Sequence, residues 1–103
     1  MIIINNLKED LERINKNIEM YEIKIAKCYQ GYLREKKING KSYYYLRKRH
    51  SDKVNDKYIR KNEVEEVKKS IKKRKFIEEN KKRLEDQKVF IEKILRRELK
   101  DKV

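Results

Sequence analysis

The fold of this 103-residue chain depends on residues 32–49, which read YLREKKINGKSYYYLRKR. The Asn39-Gly40 dipeptide at the centre favours a two-residue type I′ turn, because both central positions of that turn need positive φ. The flanking segments are rich in tyrosine, a residue that strands favour. This stretch therefore predicts a β-hairpin.

Pairing across this turn divides the side chains between two faces of the hairpin. The predicted pairs on one face are Tyr32 with Arg47, Arg34 with Tyr45, Lys36 with Tyr43 and Ile38 with Lys41. The other face carries Leu33, Tyr44 and Leu46. A second turn around residues 50–52 predicts a three-stranded meander over residues 32–59, although the sequence does not fix the register of the third strand.

Helical patterns precede and follow the meander. Within residues 5–30 and just before them, apolar side chains recur at alternating steps of three and four, as in a coiled coil. This seam consists of Ile4, Leu7, Leu11, Ile14, Ile18, Tyr21, Ile25 and Cys28. Capping-box patterns at Asn6 and Asn62 predict the starts of this helix and of a second one over residues 62–102. We predict an α+β, mostly helical single domain: an antiparallel two-helix coiled coil with a small three-stranded antiparallel sheet inserted between the helices.

The second predicted helix is longer than the first by about ten residues or more, so its last apolar side chains are expected to lack a partner within the chain. An exposed apolar stripe usually marks an interface. We expect a homodimer or a partner protein to bind there, through Phe90, Ile91, Ile94, Leu95 and Leu99. The alternative is a frayed helical tail, since helix without tertiary packing is marginal.

Composition excludes several functional classes. A chain of 103 residues with 48% charged residues and no proline is typical of helices and is too short for a multidomain enzyme. The single His50 and the single Cys28 lack partners at catalytic or metal-ligand spacing, so we expect no enzymatic activity, no metal and no cofactor. Without a membrane-spanning stretch or a secretory signal, the chain is predicted to be cytoplasmic and to bind no membrane.

The net charge of +13 lies almost entirely outside the first helix. Residues 29–60 contain ten basic and three acidic residues, and residues 61–103 contain sixteen and ten. Cations that share a surface with aromatic rings are suited to nucleic acid, because cations bind phosphates while rings stack on bases. The predicted nucleic-acid-binding residues are Tyr32, Arg34, Lys36, Lys41, Tyr43, Tyr45, Arg47, Arg49, Lys68, Lys69, Lys72, Lys73, Arg74 and Lys75.

Two resemblances add to this interpretation. Residues 31–46 resemble the wing of winged-helix DNA-binding regulators, in which a glycine and an apolar residue enter a basic hairpin that closes on a Tyr-rich strand. The helix-turn-helix that precedes the wing in those regulators has no counterpart in this sequence. Most of the chain is similar to small uncharacterised proteins of bacteria and mobile elements with a heptad helix, a Tyr-rich basic hairpin and a C-terminal helix. That resemblance implies an association with mobile DNA and no catalytic residues.

The first functional hypothesis is a non-enzymatic nucleic-acid-binding module, for DNA or RNA, of phage or mobile-element origin. The second is an interaction protein that inhibits a host defence nuclease, a nucleoprotein complex, in the manner of an anti-CRISPR protein. Two plainer interpretations stand beside them. Tyrosine paired with lysine or arginine also stabilises ordinary sheets, and abundant lysine is typical of A+T-rich genomes.

Overall fold

The computed structural model of the chain describes residues 2–100, with side chains described from residue 4 to residue 98. The elements in chain order are helix α1 (Ile2–Ala26), strands β1 (Tyr32–Ile38), β2 (Lys41–His50) and β3 (Lys53–Ile59), a 3₁₀ turn (Lys61–Glu63) and helix α2 (Val64–Lys100). The predicted α+β, mostly helical class, with a three-stranded antiparallel sheet between two helices, is confirmed. Helix α1 begins and ends three to four residues earlier than predicted, so Asn6 does not cap it.

The sheet has the order β1-β2-β3, with both pairs antiparallel. The predicted hairpin register is confirmed throughout, from Tyr32 opposite Arg47 to Ile38 opposite Lys41. The turn residues Asn39 and Gly40 have φ of 52° and 78°, the left-handed values that a type I′ turn requires. The second turn brings β3 back with Tyr58 opposite Tyr45, which the sequence did not predict.

The described chain forms two compact units, and the first consists of residues 26–76. Its core lies between one face of the sheet and the first turns of α2. Leu33, Tyr44 and Leu46 line this face as predicted, and Ile59 of β3 joins them. They pack against Val64, Val67 and Ile71, which recur on α2 at the spacing of one helix face.

The second unit consists of residues up to 25 together with residues from 77 onward. The predicted seam of α1 is confirmed as its buried side, because Ile4 and Ile14 are buried and the other members are half-buried. It packs against Leu84, Ile91 and Leu95 of α2. A salt bridge of 3.4 Å between Lys81 and Glu22, near the end of α1, fits an antiparallel arrangement. Coiled-coil geometry within this pair stays a prediction.

The expectation that the last apolar residues of α2 lack a partner is wrong for Ile91 and Leu95. Both are buried against α1. The reason is that residues 64–76 of α2 pack on the sheet, so the portion that remains for α1 matches it in length. Ile94 is half-buried and Phe90 is exposed. The side chain of Leu99 lies outside the described residues.

Candidate nucleic-acid interface

The sheet face opposite the core is here called the outer face. Because side chains alternate along a strand, the pairing of the strands fixes its members. It carries Tyr32, Arg34, Lys36 and Ile38 from β1, Lys41, Tyr43, Tyr45, Arg47 and Arg49 from β2, and Val54, Asp56 and Tyr58 from β3. Eight of the predicted nucleic-acid-binding residues are therefore brought together on one surface.

Aromatic rings form the middle of the outer face. Tyr45 and Tyr58 meet edge to face, with ring centroids 5.7 Å apart. The Lys36 ammonium lies 4.8 Å from the centroid of the Tyr45 ring, a cation–π contact. Tyr32 and Tyr58 expose 52% and 48% of their surface, so their rings are open to a ligand. Tyr58 is not among the predicted nucleic-acid-binding residues, because the sequence does not fix the register of β3.

Arg47 has a structural partner that the sequence analysis missed. Its guanidinium donates two hydrogen bonds to the Asp56 carboxylate, of 2.7 and 2.9 Å. These bonds hold the pKa of Asp56 below its ordinary value of 3.8, and the nearby charges of Lys36 and Arg34 act in the same direction. Arg47 and Asp56 therefore neutralise each other, which makes Arg47 mainly a clamp between β2 and β3.

The remaining cations of the outer face are not neutralised. Among the residues that the structure describes, no carboxylate lies within salt-bridge distance of Arg34, Lys36, Lys41 or Arg49. Since Asp56 is the single acidic residue on this face and is bound by Arg47, the face carries four uncompensated positive charges. Charges of one sign collected on one surface attract polyanions.

The six predicted nucleic-acid-binding residues of α2 do not lie on one surface. Lys68, Lys72 and Lys75 flank a groove whose floor is Leu33 and Ile71 and whose rim includes Tyr32. We call these six residues the edge groove, since they lie along the β1 edge of the sheet. The Lys68 ammonium also lies 5.0 Å from the Tyr44 ring centroid and 3.9 Å from a Glu65 oxygen.

Lys69 and Lys73 do not share this groove. Both are exposed, and the 100° advance per residue in a helix places them on the side of α2 opposite Val67 and Ile71. The predicted nucleic-acid-binding residues of α2 therefore do not share one surface with the hairpin.

Arg74 is the clearest correction to the predicted site. It is 8% exposed, and its guanidinium donates hydrogen bonds to the carbonyl oxygens of Tyr29 and Gly31. A phosphate cannot reach this group without breaking those bonds. Arg74 instead holds the segment between α1 and β1 against α2, together with the hydrogen bond from the Tyr29 amide to the Ser70 hydroxyl.

We expect Arg74→Met to lower the free energy of unfolding by about 2–4 kcal/mol, because two carbonyls lose a charged donor while the buried volume is kept. Urea denaturation measures the change. The matched control is Lys69→Met at an exposed position of the same helix, for which about 0.5 kcal/mol or less is expected. Equal effects of the two substitutions would show that the Arg74 hydrogen bonds contribute nothing.

The remaining sequence candidates carry little chemistry. His50 is exposed at the end of β2 and Cys28 is half-buried after α1. Within the described part of the chain, no three His, Cys, Asp or Glu side chains lie close enough to hold a metal ion. The described helices also contain no segment with the length and apolar character needed to cross a membrane.

Of the predicted partner interface, one large ring remains exposed. Phe90 is 65% exposed and lines a shallow apolar groove with Asp86, Gln87 and Ile91. Since Ile91 and Leu95 are buried within the chain, Phe90 and the half-buried Ile94 are the members of the predicted interface, among the described side chains, that stay accessible. A homodimer stays a prediction.

Comparison with known proteins assigns the chain to a protein family. No curated protein and no solved structure matches the chain. The family model of a domain of unknown function, DUF6788, matches residues 4–69, which run from α1 through the whole sheet into the first turns of α2. Because this match covers more than half of the 103 residues, the chain belongs to the DUF6788 family.

Proposed function

We propose that this protein is a non-enzymatic nucleic-acid-binding module whose main contact surface is the outer face of its sheet. One observation carries the proposal: four uncompensated cations share that face with three tyrosines of the predicted site and with Tyr58. The scaffold behind it is the core of the first unit. A cytoplasmic location and a phage or mobile-element origin belong to the same proposal.

The chemistry of such a surface is mainly electrostatic. Arginine and lysine bind phosphate oxygens, and each contact releases counterions from the nucleic acid, so affinity falls as salt rises. The phosphate group is the same in every nucleotide, so contacts with phosphates position a protein without distinguishing base sequences. The module is therefore expected to bind many sequences with similar affinity.

Salt dependence gives the first test. With about four phosphate contacts, the slope of log K against log salt is expected to be about −3 to −4. Raising salt from about 50 to about 200 mM is then expected to weaken binding about 60- to 250-fold. Fluorescence anisotropy of a labelled oligonucleotide measures this. No binding at the lower salt concentration, or a slope near zero, would contradict the proposal.

A second candidate function is favoured by the exposed Phe90. In this alternative the protein is an interaction protein, such as an inhibitor of a host defence nuclease, and Phe90 and the half-buried Ile94 contact the partner. Exposed aromatic rings are common anchors in protein interfaces. The cations of the outer face are then dispensable, which separates this function from the first.

A further inference from the structure

We propose that the ligand of the outer face is single-stranded nucleic acid, bound along a path that continues over the β1 edge into the edge groove. This inference rests on the proposed function and names its substrate class. Three features of the structure support it: the breadth of the face, the pairing of rings with cations, and the position of the edge groove.

The breadth of the outer face disfavours a duplex. Proteins that read duplex DNA insert a helix or a two-stranded ribbon into a major groove about 12 Å wide. In a three-stranded sheet the axes of the two outer strands lie about 10 Å apart, and side chains add to this width. Once side chains are added the face exceeds the width of that groove, so we expect its contacts with an undistorted duplex to lie on the phosphate ridges. The open rings of Tyr32 and Tyr58 would then contact no base.

Rings and cations alternate on the face in a way that suits unpaired nucleotides. Successive cross-strand rows place Lys36 beside Tyr43, Arg34 beside Tyr45 and Tyr58, and Arg47 beside Tyr32. The rows are about 7 Å apart, since same-face residues are two positions apart on a strand. The first two rows each offer a ring on which a base can stack and a cation for the neighbouring phosphate. The third row offers the ring of Tyr32, because its Arg47 is held by Asp56. Paired bases cannot use these rings, because their faces are already stacked.

The edge groove extends this path. Tyr32 belongs both to the outer face and to the rim of the groove, so the two surfaces meet at its ring. The groove presents Lys68, Lys72 and Lys75 above an apolar floor, and no carboxylate is among its lining residues. Lys68 also contacts Glu65, so a strand that leaves the face at Tyr32 meets two further ammonium groups, those of Lys72 and Lys75, that have no carboxylate partner among the described residues.

The test compares ligands of equal length. Labelled 12-mers of single-stranded RNA, single-stranded DNA and the corresponding DNA duplex are titrated with the whole protein at low salt. We expect at least one single strand to bind about tenfold more tightly than the duplex. Equal or tighter duplex binding overturns this inference and leaves the proposed function standing, whereas no binding to any of the three overturns both.

Substitutions locate the path. Replacement of Tyr32 or Tyr58 by threonine keeps a residue that strands favour but removes the ring, and each is expected to weaken single-strand binding about fivefold or more. The phenylalanine variants keep the ring and are expected to bind like the original chain. Duplex binding is expected to stay unchanged in all four, which a general loss of folding would not allow. Threonine variants that bind single strands normally would overturn the stacking role.

Two double variants of α2 test the role of the edge groove. Lys72→Ala with Lys75→Ala is expected to weaken single-strand binding about tenfold, because two phosphate contacts are lost. Lys69→Ala with Lys73→Ala removes the same charge from the opposite side of α2 and is expected to cost about threefold or less. Equal losses in the two double variants would overturn the path through the groove.

Discussion

Gly31→Ala is expected to lower the free energy of unfolding by about 3 kcal/mol or more. Gly31 has φ of 86°, a left-handed conformation that side chains with Cβ rarely adopt. An added Cβ would also collide with the carbonyl oxygen of Arg47 in β2. Since the Gly31 carbonyl accepts a hydrogen bond of 2.9 Å from Arg74, the backbone cannot move away without a further loss.

Gly40→Ala is the control for this prediction. Gly40 has a similar φ of 78°, but a Cβ there meets no atom within 4 Å. Only the conformational cost remains, so a loss of about 1–2 kcal/mol is expected. Urea denaturation followed by tyrosine fluorescence measures both variants, since six of the seven tyrosines lie between residues 29 and 58. Equal losses would show that the close approach of Gly31 to β2 is unimportant.

The hairpin was predictable because its signals are local. The Asn39-Gly40 turn fixes the loop length, and loop length fixes the register of every pair that follows. The register of β3 was not predictable in this way. The turn between β2 and β3 contains Ser51 at φ 53°, a left-handed conformation that the sequence does not indicate. Tyr58 and Asp56 could therefore not be placed beside their partners on β2 from the sequence.

The buried side of α2 was only partly predictable. Its apolar pattern breaks between Ile71 and Ile77. The structure fills the break with Arg74, whose partners lie 43 and 45 residues earlier in the chain. Charged residues are usually exposed, and only a tertiary contact of this kind reverses that expectation.

The division of α2 between two packing partners also could not be read from its pattern. Val64, Val67 and Ile71 look like the start of a seam for α1, yet they pack on the sheet. Apolar spacing shows which side of a helix is buried, but it does not show what covers that side. The prediction of an unpartnered stripe at Ile91 and Leu95 failed for this reason.

Reversal of charge on the outer face is expected to produce the largest change in binding. Arg34 and Arg49 are the suitable positions, because neither has an acidic partner among the described residues. Arg47 is left unchanged, since a glutamate there would repel Asp56 and weaken the sheet. Loss of two charge-assisted phosphate contacts, with repulsion added, is expected to reduce affinity about 100-fold.

The decisive comparison is between two variants with the same net charge. Arg34→Glu with Arg49→Glu, and Lys8→Glu with Lys16→Glu on the exposed side of α1, each lower the charge of +13 by four. Their dissociation constants for one labelled single strand are measured by anisotropy in the same buffer, after thermal unfolding confirms that both variants fold. The outer-face variant is expected to bind about 100-fold more weakly than the original chain, and the α1 variant within about fivefold. Equal weakening of the two variants would contradict the assignment of binding to the outer face.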